Sequence, residues 1–296
     1  MNSVRSPRND MQEATVLSHD GCVLQYGYSQ RAPGKPWIAL IIPFGLKLAV
    51  ARPFFDALSI AYNVVTWEAR LILAPPERQI KAGELSVANH VADLITVLDA
   101  CRIDKANLVG YCSGAGVALA AIDAHPDRFG ELVLVNGEYT MLKDSSCVTQ
   151  FGSDIDNLLP MASKDRKMAQ FIIDRMQFEN KGGRAPPEGI HLPFSKAHYF
   201  HRYALNYLAY RAVDFEGLAR RVKRKTLLIA GQCDLQTNLN SAIRIKQSIE
   251  QSEVLVEPEG DHYELLRPGS RTLAMVRKFL DTQLGSLGEQ TWCAQS

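Results

Sequence analysis

Six short runs of apolar residues recur along the chain, and their lengths constrain its fold more than any other feature. The runs occupy residues 37–42, 63–67, 106–109, 132–136, 226–230 and 254–257. Each is too short for a buried helix, and such runs are typical of strands in a sheet that is covered on both faces. Segments with helical spacing lie between them, as from Val87 to Cys101. This alternation predicts an α/β fold with a mainly parallel sheet flanked by helices.

Two segments depart from the alternation of strands and helices. Near the start, Ala14 to Leu17 and Val23 to Tyr28 flank a His-Asp-Gly turn signal, which predicts a hairpin. From Glu138 to about Arg224 there is no strong strand. We therefore predict that residues 1–137 and 226–296 form the core, and that residues 138–225 form a helical cap inserted into it.

Composition and charge exclude several classes of protein. With 33 Lys and Arg against 32 Asp and Glu, the formal net charge is +1, which argues against a protein that binds nucleic acid or an anionic membrane. The apolar runs are far shorter than the roughly 18 residues of a membrane span. The six cysteines show no CxxC pair and no zinc-ligand spacing. We expect a reduced cytoplasmic protein without a metal or a cofactor, and the oligomeric state stays unknown.

The segment Gly110-Tyr-Cys-Ser-Gly114 follows a predicted strand and precedes a helix of small and apolar residues. A nucleophile on a sharp turn between a strand and a helix needs small residues two positions before and after it. That spacing selects Cys112. Choosing Ser113 instead would put Tyr111 at one of the small positions. A helix N-terminus also favours a thiolate, so we predict that Cys112 is the nucleophile.

An acid and a histidine follow the predicted nucleophile in the expected chain order. Asp234 comes just after the run 226–230, and His262 lies in the loop after the run 254–257. We predict a Cys112, Asp234 and His262 triad. Glu138, which follows the run 132–136, is the alternative acid.

These motifs resemble those of the α/β-hydrolase superfamily over about residues 14–137 and 226–284. The resemblance implies that the backbone N–H of Ser113 is the first oxyanion donor and that the loop after the third strand supplies the second. That loop usually carries a His-Gly pair, and this chain has Pro43-Phe44-Gly45 there instead. Because proline has no N–H, Phe44 or Gly45 must donate, and we favour Gly45.

A Gly-x-Cys-x-Gly elbow is similar to that of polyhydroxyalkanoate synthases and dienelactone hydrolases, which implies acyl chemistry through a cysteine. We hypothesise a thioesterase or acyltransferase in which Cys112 accepts an acyl group from a thioester of a carrier protein or coenzyme A. The alternative is a hydrolase of small esters or lactones. A non-catalytic binding protein is a third possibility, which the retention of all three triad residues disfavours.

An aromatic segment from His198 to Tyr210 places its rings at helical spacing. It is either a cap helix that lines an acyl pocket or the buried face of a packing helix. We expect Tyr203 and Tyr207, together with Phe44 and Tyr111, to contact the substrate. The basic run 220–225 is either a solvated loop or a docking patch for an acidic carrier protein or for the phosphates of coenzyme A.

Overall fold

The structure is a computed structural model that describes residues 11–31, 34–81, 83–139, 141, 144–176 and 185–292, with side chains described up to residue 282. The strands are β1 Gln12–Leu17, β2 Val23–Ser29, β3 Trp37–Ile41, β4 Asn63–Trp67, β5 Ala106–Tyr111, β6 Phe129–Val135, β7 Thr226–Gly231 and β8 Ser252–Glu257. The helices are α1 Leu48–Ser59, α2 Val87–Ala100, α3 Ser113–Ala124, α4 Gln150–Ala162, α5 Arg166–Ile173, α6 Ala197–Arg211, α7 Phe215–Ala219, α8 Leu239–Ser248 and α9 Arg271–Trp292.

The strands form one eight-stranded sheet in the order β1-β2-β4-β3-β5-β6-β7-β8. The first two strands pair antiparallel as the predicted hairpin, and β2 pairs antiparallel with β4. All remaining neighbours pair parallel. The predicted α/β-hydrolase architecture, a mainly parallel sheet flanked by helices, is therefore confirmed.

Helices cover both faces of this sheet, and successive strand residues point to opposite faces. In β3, Ala39 and Ile41 belong to the apolar cluster that includes α2 and α3, whereas Ile38 and Leu40 belong to the cluster that includes α1 and α9. The carboxyl ends of β5, β6, β7 and β8 consequently lie side by side at one edge of the sheet, where the loops after them can meet.

Three helix boundaries differ from those the sequence predicts. The residue pattern predicts helices over 52–61, 117–125 and about 270–284. Helix α1 begins at Leu48 and includes Pro53. Its first amide donates to the side chain of Glu68, which follows β4, so a residue distant in sequence caps the helix. Helix α3 begins directly at Ser113, and α9 extends to Trp292 instead of ending near Leu284.

The segment between β6 and β7 contains helices α4 to α7. Residues of α4, α5 and α6, among them Ile155, Ile172 and Phe200, form a separate apolar cluster. Phe215 and Ala219 of α7 instead join the cluster that packs on the sheet. Tyr210 of α6 also lies in the cluster on the sheet, so α6 packs on both sides. We refer to helices α4 to α6 as the cap helices.

Candidate active site

Cys112 lies between the last residue of β5 and the first residue of α3, with φ 53° and ψ −122°. Two glycines allow this sharp turn. A Cβ on Gly110 would lie 2.6 Å from the carbonyl oxygen of Gly114, and a Cβ on Gly114 would lie 2.1 Å from the carbonyl oxygen of Ile41. No side chain fits at either distance, so both positions require glycine. The strained turn holds the thiol of Cys112 at the sheet edge.

His262 and Asp234 meet beside Cys112, although they follow different strands. His262 Nδ1 lies 2.8 Å from Asp234 Oδ2, and the imidazole is close enough to the Cys112 thiol for each group to shift the pKa of the other. The hydroxyl of Thr237 donates to Asp234 Oδ2 at 2.6 Å. The amides of Gln236 and Thr237 donate to Asp234 Oδ1 at 2.7 and 2.9 Å. These bonds hold the carboxylate in one orientation toward the imidazole.

The electrostatics of these three residues are coupled. Burial opposes the ionisation of Asp234, but His262 and Thr237 outweigh it, so the pKa of Asp234 is below its ordinary value. Burial likewise disfavours a charged imidazole, yet Asp234 and Cys112 hold the pKa of His262 well above its ordinary value. Burial raises the pKa of the Cys112 thiol, and His262 offsets part of that rise. The arrangement suits proton transfer from the thiol to the imidazole.

Two side chains attach the backbone of His262 to the sheet. Asn136, at the end of β6 with φ 43°, donates from Nδ2 to the carbonyl oxygens of Asp261 and His262 at 3.1 and 3.2 Å. Its Oδ1 accepts from the amide of Gly231, the last residue of β7, at 2.9 Å. Tyr111 donates its hydroxyl to the His262 carbonyl at 2.8 Å. Tyr111 is 1% exposed and supports the backbone of His262, and its contact with the substrate stays a prediction.

The loop after β3 also approaches Cys112. The amide of Phe44 donates to Ser113 Oγ at 3.1 Å, which leaves Gly45 as the candidate second oxyanion donor. Gly45 has φ +76°, and a Cβ there would lie 2.6 Å from Pro193 Cγ. The amide of Ser113 faces the Cys112 thiol and helps to lower its pKa. The ring of Phe44 is buried and contacts the rings of His90 and Tyr210, and its contact with the substrate stays a prediction.

Helix α6 carries Tyr203 and Tyr207, whose ring centroids lie 5.8 Å apart. Tyr207 is buried and close enough to Glu138 to affect its pKa, while Tyr203 is half-buried and close enough to Cys112 for the two groups to interact electrostatically. Of this aromatic pair, Tyr203 therefore lies near Cys112, and the substrate contact of both stays a prediction. Glu138, the alternative acid, pairs with Arg211 at 3.2 Å, whereas His262 binds Asp234.

The basic run 220–225 contributes to ion pairs at the surface. Arg221 Nε lies 2.6 Å from Asp123 Oδ1, and Lys223 Nζ lies 3.9 Å from Glu250 Oε2. Arg220 pairs with Glu216 in the same turn of helix. Acidic side chains of the chain itself therefore neutralise part of this run, and its use as a docking patch stays a prediction.

A family model for the alpha/beta hydrolase fold matches residues 23–266. The chain belongs to the α/β-hydrolase fold family. It is similar to L-allo-isoleucyltransferase of Pseudomonas savastanoi pv. glycinea, with 25% identity over 250 residues that cover 82% of this chain and 86% of the relative. A 2-hydroxymuconate semialdehyde hydrolase of Pseudomonas putida is 24% identical over 204 residues, covering 67% of this chain and 70% of that enzyme.

Solved structures share the fold at low sequence identity. An enol-lactonase from Burkholderia xenovorans superposes with a TM-score of 0.64 and 18% identity, covering 93% of this chain and 100% of that one. The relatives include hydrolases and an acyltransferase, which supports an α/β-hydrolase-fold enzyme of the hydrolytic or acyl-transfer class. None of the helices in the described part of the chain is long and apolar enough to span a membrane.

Proposed function

We propose that the chain is an acyl-transfer enzyme, a thioesterase or an acyltransferase, that acts on an acyl thioester through a covalent acyl-Cys112 intermediate. The observation that carries this proposal is that Cys112, on its strained turn, lies close enough to the imidazole of His262 to shift its pKa, and that this imidazole is bound to Asp234. Cys112 is then the nucleophile, His262 the general base and acid, and Asp234 the group that orients His262.

In the first half of the reaction, His262 takes the proton of the Cys112 thiol and the thiolate attacks the carbonyl carbon of the donor. The amides of Ser113 and Gly45 would stabilise the oxyanion. When the tetrahedral intermediate collapses, the carbon–sulfur bond to the donor breaks, and the departing thiolate takes the proton from His262. In the second half, His262 removes a proton from the acceptor, which attacks the acyl-Cys112 and regenerates the thiol.

A cysteine nucleophile favours transfer over simple hydrolysis. The acyl-cysteine is a thioester, which amines and thiols attack well relative to water, whereas a serine enzyme forms an oxygen ester that water cleaves readily. The named activity of the relative from Pseudomonas savastanoi, the transfer of an L-allo-isoleucyl group, supports transfer. The expected donors are thioesters of a carrier protein or of coenzyme A. We also infer a cytoplasmic location, where such thioesters are made and cysteines stay reduced.

The test is to incubate the protein with acyl thioesters and to measure the mass of the intact protein by mass spectrometry. We expect a mass increase equal to the acyl group on Cys112. Cys112→Ala should abolish the adduct and turnover, while Cys112→Ser should retain slow hydrolysis and lose transfer to thiols. Cys233→Ser is the matched control because Cys233 is exposed and next to Asp234 in sequence. Full turnover by Cys112→Ala would overturn the proposal.

A hydrolase of small esters or lactones is the second candidate. The hydrolase of Pseudomonas putida, which is similar over 67% of this chain, favours it. Rates on small lactones and on acyl thioesters of equal chain length separate the two candidates. Faster turnover of the lactones, without transfer to added thiols, would favour the second.

A further inference from the structure

A buried ion cluster lies directly beside the proposed nucleophile and has no part in the proposed triad. The amide of Glu138 donates to the carbonyl oxygen of Cys112 at 3.1 Å. The Glu138 carboxylate lies 3.2 Å from Arg211 Nη2, and the same nitrogen lies 2.6 Å from Asp156 Oδ1. The side chains of Glu138 and Arg211 are 15% and 13% exposed. One guanidinium therefore serves two carboxylates in a largely buried place.

The charges in this cluster do not balance. When both carboxylates are ionised, Arg211 neutralises one of them and leaves one negative charge in excess. Nearby Asp234 already has His262 as its partner. Burial raises the pKa of Glu138 and of Asp156, although Arg211 opposes the rise, because a charged carboxylate loses hydration there. A cationic group from a ligand would offset that loss.

The position of the cluster selects the kind of amine. An α-ammonium group lies about 2.5 Å from the carbonyl carbon of the same amino acid, given standard bond lengths and angles. In an aminoacyl-Cys112 intermediate the amine must therefore stay close to the thiol. Glu138 meets this need because its amide bonds to the carbonyl oxygen of Cys112, and its carboxylate is close enough to affect the pKa of the thiol.

We infer that Glu138, held by Arg211, binds the α-ammonium group of the acyl donor, so that the substrate is an aminoacyl thioester. This inference rests on the proposed acyl-Cys112 chemistry. Glu138 is then a specificity-determining residue. An acyl group without the amine would leave the excess charge unpaired.

The test compares two donors that differ only in the amine, the N-acetylcysteamine thioesters of L-isoleucine and of 3-methylpentanoic acid. The measured quantity is the initial rate of acyl-Cys112 formation by intact mass. We expect the wild type to form the isoleucyl adduct at least about tenfold faster. Glu138→Gln should lower the ratio of the two rates by about 10- to 100-fold. Glu250→Gln, a surface control, should leave the ratio at the wild-type value.

Several outcomes would overturn the inference and leave the proposed function intact. They are equal loading of both donors by the wild type, an equal loss of both rates in Glu138→Gln, and an unchanged ratio in that variant. In each of these cases an adduct on Cys112 still forms. If neither donor acylates Cys112, the proposed function fails and the inference fails with it. Comparing the ratio of a variant with that of the wild type cancels the different intrinsic reactivities of the two thioesters, because both proteins are assayed with the same donors.

Discussion

Burial and His262 have opposing effects on the ionisation of the Cys112 thiol, and together they predict how its reactivity depends on pH. Burial raises the pKa of the thiol, and His262 only partly offsets this. Because the thiolate is the reactive form, the reactive fraction grows with pH until pH exceeds the raised pKa. We expect alkylation of Cys112 by iodoacetamide to become about tenfold faster per pH unit between pH 6 and 8, as followed by peptide mass spectrometry.

Two variants control the alkylation experiment. Cys112→Ser shows how much labelling belongs to the other cysteines. Asp234→Asn should slow the labelling of Cys112 across this pH range, because a neutral partner no longer stabilises the charged form of His262. The observed midpoint belongs to the Cys112 and His262 pair as a unit. A rate that stays constant from pH 6 to 8 would contradict the prediction and indicate a thiolate that is already formed.

Single residues differ in how far sequence alone predicts their place. The glycine spacing was sufficient to predict the turn at Cys112, because the steric need for glycine is local to the turn. The positions of Asp234 and His262 followed from their places after strands. The supports of His262 were not predicted, since Asn136 and Tyr111 reach it across 126 and 151 positions of sequence. An asparagine directly after a buried strand was the one available signal, because asparagine tolerates a positive φ.

At the scale of elements, a buried arginine joins the hairpin, β4 and α2. Arg70 is fully buried and donates to Asp93 in α2 at 2.7 and 2.6 Å and to Asp20 in the hairpin turn at 2.7 and 3.1 Å. Arg70→Met leaves the buried Asp93 without its charged partner. We expect the free energy of unfolding at pH 7 to fall by about 3 to 5 kcal/mol, as measured by urea denaturation.

A surface arginine gives the matched control for Arg70. Arg128 pairs with Asp99 where both side chains are partly exposed, so Arg128→Met should cost less than about 1 kcal/mol. Equal losses in the two variants at pH 7 would contradict the special role of Arg70.

The hydrogen bond from Arg70 lowers the pKa of Asp20 despite partial burial. Asp20 therefore contributes stability that is complete at pH 7 and is lost as pH falls below about 4, its pKa in the unfolded chain.

The sequence predicted the type of the helices and strands well and their end residues less well. The apolar runs identified β3 to β7 because a strand that is buried in the sheet must be apolar on both faces. The run 254–257 identified β8 as well, although this edge strand is partly exposed. The start of α1 was misplaced since its cap, Glu68, comes from the end of another strand. Such caps depend on contacts between elements, which periodicity does not contain.

At the scale of the whole molecule, the cap helices have an apolar cluster separate from those of the sheet. Ile172 of α5 is buried in that cluster, and Ile172→Ala should remove about 2 to 5 kcal/mol of local stability. We expect faster amide hydrogen exchange in α4, α5 and α6, with little change in β3 and β5, because separate clusters can open independently.

Leu280→Ala provides the comparison on the sheet side, since Leu280 of α9 packs in the cluster with α1 and β3. It should speed exchange throughout the sheet and lower the melting temperature. If Ile172→Ala increased exchange equally in β3 and β5, the cap helices and the sheet would unfold as one unit. The prediction of separate opening would then be wrong.

The whole-molecule prediction used the order of elements and could not supply distances. Alternating strands and helices predicted the sheet, and the division into core and inserted cap stays a prediction. The excess charge at Glu138 was not foreseen, because Glu138 precedes the cap helices and Arg211 is the last residue of α6, so the two meet only in the folded chain. A pairing of that kind leaves no local pattern in the sequence.

The attachment of His262 through Asn136 and Tyr111 has an evolutionary consequence. Both supports come from strand ends of the sheet, and the helices between β6 and β7 supply neither. Selection can therefore lengthen, shorten or exchange those helices while Cys112 and His262 keep their relative positions. Related chains can in this way differ in the inserted helices and still share one arrangement of these two side chains.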